Sequence, residues 1–155
     1  MRKEVISKRR QQKLRGDTTV CQVEEEDLVR ALKRFKSLAK QDLLTSALTD
    51  DPHFWKTHAE ARRNEYSRLL ELIESAGVEE ACVYAWRRYQ KFRLAVGPDQ
   101  SPEQAGARQA LELFFKVIGV TPGRLGKWLR EREEGLALSL ELLDDGEMPL
   151  AQEQI

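Results

Sequence analysis

Residues 107–132 read ARQALELFFKVIGVTPGRLGKWLRER. An apolar-periodic helix runs up to Gly119, Val120 and Thr121 make a tight turn, and a second helix opens on Pro122. Two helices about a three-residue turn containing glycine is the layout of a helix-turn-helix, whose second helix often lies in a DNA major groove. Phe114 and Ile118 before the glycine, Val120 after it, and Leu125 and Trp128 beyond supply the inward anchors. Phe115 stands where that motif takes a small residue. Gly123 and Gly126 each weaken the second helix by roughly 1 kcal/mol relative to alanine. The same residues also suit an ordinary antiparallel helix pair, so segment 108–132 carries two readings.

Working outward, the rest of the chain is helical in pattern as well. Leu28, Leu32, Phe35, Ala39 and Leu43 repeat at helical spacing behind the acidic run Glu24, Glu25, Glu26 and Asp27, giving a first helix to about Leu48. Asp50 or Asp51 caps a second helix with Pro52 at its first position and Gly77 as its stop. Its seam is Trp55, Ala59, Tyr66, Leu69, Ile73 and Ala76, broken by Arg62, and is narrow enough to suit one partner helix. A third helix covers about 78–96, with Ala81, Cys82, Ala85, Tyr89, Phe92 and Val96 apolar, and Gly97-Pro98 ends it. Ser101, Pro102 and Gln104 open the fourth as a capping box, and it reaches Ile118. The fifth runs from Pro122 to about Glu134, where Gly135 breaks it ahead of a short piece over 136–143. No segment alternates as a strand does. The expected class is all-α: a bundle of about five helices, sequential helices packed antiparallel. It divides into a flexible basic arm (1–20), a helical domain (21–143) and an unstructured acidic tail (144–155).

The 155 residues suffice for one domain with a core. Net charge is zero, with 26 basic and 26 acidic residues, so no bulk attraction to nucleic acid or to an anionic membrane follows. The distribution is uneven. Arg2, Lys3, Lys8, Arg9, Arg10, Lys13 and Arg15 crowd the start, and Glu131, Glu133, Glu134, Glu141, Asp144, Asp145, Glu147 and Glu153 crowd the end. Such ends are either interaction arms or simply solvated. Cys21 and Cys82 lack metal-finger spacing and give no disulfide framework, which fits a reducing cytoplasm. The charged start lacks the apolar stretch of a signal peptide, and no run is long enough to span a bilayer.

No catalytic constellation, cofactor motif or metal-ligand spacing stands out. His53 and His58 are five apart and do not share a helix face, and His53 reads as a surface residue. Gly119, Gly123 and Gly126 lack the Lys-Ser/Thr ending of a phosphate loop. Carboxylates such as Glu71, Glu74, Glu79 and Glu80 read as solvated faces. Basic and aromatic residues do cluster. Arg87, Arg88 and Lys91 form one face of the third helix, suited to phosphates, and Trp86 is placed to stack on a base. The other reading is a core aromatic stripe beside a solvated basic one. Arg124, Lys127 and Arg130 form a row on the fifth helix. If that helix enters a groove, Thr121 joins them as a first contact, Arg124 meets a base edge, and Lys127 and Arg130 meet phosphates.

The stretch DPHFWKTHAEARRNEYSRLLELIE, followed later by ARQALELFFKVIGV, resembles small terminase subunits of tailed phages and related phage helix-turn-helix regulators. The likeness rests on Asp51, Pro52 and Phe54, and on Arg108, Ala110, Leu111, Glu112, Leu113, Lys116, Gly119 and Val120. It covers less than half the chain, mostly helix caps and core positions. The resemblance implies a non-enzymatic, ring-forming protein that recognises viral DNA and passes it to a motor ATPase, in a bacterial or phage-infected cytoplasm. The family's DNA-reading helix-turn-helix usually precedes the "DP-x-F" segment, where this chain has one long helix. Either the DNA reader is absent, or the basic arm (Arg9 and Arg10) or segment 114–132 takes its place. Trp55, Tyr66, Leu69 and Ile73 are the candidate oligomer contacts. The competing expectation is a helical adaptor that binds another protein of a transcription or replication machine and does not touch DNA.

Overall fold

The computed structural model describes residues 20–94 and 100–153, and among them every regular element is a helix. Helix α1 spans Glu25–Thr45 and is followed by a 3-10 turn, Ser46–Leu48. Helices α2 (Pro52–Ala76), α3 (Val78–Leu94), α4 (Pro102–Ile118) and α5 (Pro122–Glu153) complete the bundle.

The boundaries follow from local chemistry. Asp51 Oδ1 accepts the Phe54 N–H at 3.2 Å at the start of α2. Ser101 Oγ accepts the Gln104 N–H at 3.2 Å at the start of α4, the same solution to the same orphan donors. Gly77 alone links α2 to α3, with φ 97°, where a Cβ would be strained.

Helix α2 is the hub, packing on α1, α3 and α4 together. Two faces of it are therefore buried: Ala59, Tyr66, Leu69 and Ile73 on the expected seam, and His58, Ala61 and Glu65 beside it. The narrow single-partner seam read from the sequence is too narrow. Helix α4 crosses α2 so closely that a Cβ on Gly106 would run into the carbonyl oxygen of His58. Tyr66, Phe114, Leu28, Leu32, Leu69, Leu111, Ile118 and Leu125 are fully buried between these helices. Each of the aliphatic and phenylalanine side chains contributes about 1.5–3 kcal/mol by leaving water.

Two expectations for the end of the chain are corrected. Helix α5, Pro122–Glu153, does not break at Gly135, and 136–143 is not a separate piece but part of the same helix. One glycine costs a helix about 1 kcal/mol, and Glu133, Glu134, Leu136, Ala137 and Leu138 around it are helix formers that outweigh it. Nor is α5 an antiparallel partner of α4. It packs on α3 instead, after the turn at Gly119 has redirected the chain.

Candidate nucleic-acid interface

The turn between α4 and α5 is built by Gly119, left-handed at φ 71°, which lets the Val120 N–H return to the Phe115 carbonyl at 3.3 Å. Thr121 then begins α5. Its Oγ1 accepts the Arg124 N–H at 3.3 Å, and its carbonyl accepts the Leu125 N–H at 3.0 Å. Leu125 and Leu129 face the core at 1% and 6% exposure, which turns Arg124, Lys127 and Arg130 outward. None of these three cations makes a hydrogen bond or ion pair through its side chain among the described residues. Arg124 stands in the first turn of α5, whose N-terminus itself favours anions, and Lys127 and Arg130 follow one and two turns further along.

The N-terminal segment is tied to the same place. The Gln22 N–H donates to the Ile118 carbonyl at 3.2 Å, and the Gln22 side chain lies over Gly119, whose Cβ, if present, would be 3.1 Å from Oε1. Val20 and Gln22 wall a groove of about 320 Å³ together with Val120, Arg124, Lys127, Trp128 and Glu131. The basic arm therefore joins the bundle next to the cation row of α5. Arg9 and Arg10 lie outside the described residues.

The basic face of α3 is differently engaged. Arg88 Nε donates to Glu65 Oε1 at 2.8 Å, and the Tyr84 hydroxyl donates to Glu65 Oε2 at 2.9 Å. Glu65 itself is 4% exposed, so both oxygens of a buried carboxylate are satisfied by α3. Burial opposes the charge on Arg88, but the hydrogen bond and charge of Glu65 outweigh it and hold the guanidinium more firmly protonated than usual. Its plane also covers Phe92, 5.0 Å from the ring centroid. Arg87 meets Glu133 of α5 at 3.5 Å with both side chains well exposed. Lys91 is exposed and has no ion pair among the described residues. Trp86 packs its indole on Gly126 of α5, so it is a contact between helices and not an open stacking platform.

Thus Arg124 and Lys127 come together beside the root of the arm, with Thr121 capping their helix and Arg130 a turn beyond on its exposed side. Arg88 is turned to Glu65 instead, and Phe115 packs edge-on against Tyr89, with centroids 5.3 Å apart. The oligomer seam closes inside one chain: Tyr66 and Leu69 are fully buried and Ile73 is 3% exposed, leaving only Trp55, at 45%, on the surface.

Sequence reasoning missed Glu65 and His58. Glu65 sits four residues after Ala61 and four before Leu69, and that second stripe was the available signal. His58 is 7% exposed, and its Nδ1 has no hydrogen-bond partner among the described residues. Burial, with Arg62 nearby, pushes its pKa down, against a smaller upward pull from Asp42. Burial drives the Cys82 thiol up to about 12, and both cysteines are free. Among the described residues no group of three or more His, Cys, Asp or Glu could hold a metal ion, and no helix is long and apolar enough to cross a membrane. Comparison of the chain with protein-family models, curated proteins and solved structures gave no match.

Proposed function

We propose that this is a non-enzymatic DNA-binding accessory protein that grips duplex DNA with the start of α5 and the basic arm. The observation that carries this reading is the row Arg124, Lys127 and Arg130. Its three cations are exposed and have no side-chain partner among the described residues, Arg124 lies in the first turn of α5, and Arg124 and Lys127 adjoin the point where the arm joins the fold. Each phosphate neutralised by such a cation releases counterions and steepens the salt dependence by about one unit of slope. Thr121 is engaged as the cap of α5, which sets the helix end and orients Arg124. The packaging role, with ring assembly and a motor ATPase as partner, is what the resemblance to small terminases adds to this reading.

The test is a duplex-DNA titration of the full chain at several salt concentrations, with oligomer mass recorded on the same sample. Binding that falls steeply with salt, with the slope reduced by about two in the Arg124→Ala/Lys127→Ala variant, is the expected result. Absence of binding at low salt, or an unchanged slope in the variant, overturns the proposal.

A second reading, a helical protein–protein adaptor, is favoured by Leu136 and Leu140. They continue the buried stripe of Leu125 and Leu129 along α5 but are 56% and 61% exposed. A stable protein partner captured without DNA, and lost on Leu136→Glu, supports this reading over the first.

A further inference from the structure

We propose that the basic segment 1–19 docks along the outer half of α5, on the face formed by Glu131, Glu134, Leu138, Glu141 and Leu142. Glu131, Glu134 and Leu138 follow at steps of three and four, and Glu141 and Leu142 lie three and four beyond Leu138, so all five share one side of the helix. The face is uncovered. Arg132 reaches Glu80 near the start of α3 at 2.9 Å, and beyond that point Leu138 and Leu142 are 61% and 73% exposed. The side chains of Glu131, Glu134 and Glu141 make no hydrogen bond or ion pair among the described residues, unlike that of Glu133, which meets Arg87.

Three observations select the arm as occupant. The first is position: Val20, where the arm ends, and Glu131, where the acidic face begins, wall the same groove. Nineteen residues can extend to roughly 60 Å, whereas Glu131 to Leu142 spans about 16 Å of helix. The second is charge. The arm carries seven basic residues against Glu4 and Asp17, and Val5, Ile6 and Leu14 provide apolar matches for the leucines. The third is direction. Toward the start of α5 the arm meets Arg124, Lys127 and Arg130, which repel it; outward it meets carboxylates. A second copy of α5 on this face would bring carboxylate against carboxylate. If the DNA reading holds, on which this consequence alone rests, duplex DNA and the acidic face compete for the arm, and the acidic half of α5 limits DNA affinity.

Hydrogen exchange of the backbone amides of residues 134–142, measured on the full chain without nucleic acid, tests the docking separately from the DNA reading. At low salt the amides are protected, and protection is lost at high salt. The variant R9E/R10E/K13E exchanges about tenfold faster at low salt, as three exposed charge pairs acting together would give. E134Q/E141Q, which leaves the Arg87–Glu133 pair in place, reproduces the faster exchange. Equal exchange in wild type and R9E/R10E/K13E at low salt overturns the proposal. So does protection that survives both salt and charge reversal, which would assign the face to a second copy.

Discussion

The indole of Trp86 lies against Gly126, so close that a Cβ on the glycine would be 2.9 Å from Nε1. This contact joins α3 to α5, and it reverses the expected sign of a helix substitution. Gly126→Ala adds helix propensity but forces apart the ring or the helix, so a net loss of about 1–2 kcal/mol is expected. Gly123, three residues earlier, has open space where its Cβ would be, and Gly123→Ala should gain about 0.5–1 kcal/mol. Denaturant midpoints of the two variants check the pair; a stabilised Gly126→Ala would remove the close contact from the account.

Glu65 is the second test of packing. Glu65→Ala leaves the Tyr84 hydroxyl and Arg88 without their acceptor, at a cost of about 2–3 kcal/mol. Glu65→Gln keeps one acceptor oxygen, so the loss should be smaller. Chemical unfolding of both variants reads the difference, and equal losses would contradict a two-donor carboxylate.

Acid should destabilise the bundle through His58. Its folded pKa is depressed, so the neutral ring is favoured in the fold. The stability this represents is present above the ordinary value near 6.5 and is lost as pH falls below it, because the unfolded state takes up the proton first. Thermal melts between pH 7 and 5 should show the loss in the wild type, and a flatter profile in His58→Asn.

Alkali acts through Cys82. An unfolded thiol ionises near 9, whereas burial holds the folded one neutral up to about 12. The contribution is complete below pH 9 and falls by up to about 1.4 kcal/mol per pH unit between those values. Cys82→Ala should lose stability at neutral pH through the cavity it leaves, and should show less of the alkaline decline. Stability measured from pH 7 to 10.5 in both proteins tests the contrast.

What was legible in the sequence is what local chemistry decides. Asp51 with Pro52, Ser101 with Pro102, Gly77 and Gly119 mark helix ends because capping and left-handed glycine act within one turn. The exposed cation row of α5 was legible for the same reason, since Leu125 and Leu129 fix which side faces out. Tertiary choices were not. That α2 would be buried on two faces, taking Glu65 inside, depends on α3 and α4 arriving together. Trp86 reads as an open aromatic until Gly126 is placed beneath it. Gly135 reads as a break unless the propensity of its neighbours is weighed against it.

The single-residue joint at Gly77 makes α2 and α3 phase-locked. An extra residue there would turn α3 by about 100° about its own axis, carrying Tyr84 and Arg88 off Glu65 and Trp86 off Gly126 in one step. Length variation in this protein is therefore to be sought elsewhere along the chain. A variant with one residue inserted at this joint would have to rebuild the α3–α5 contact from a face of α3 about 100° away.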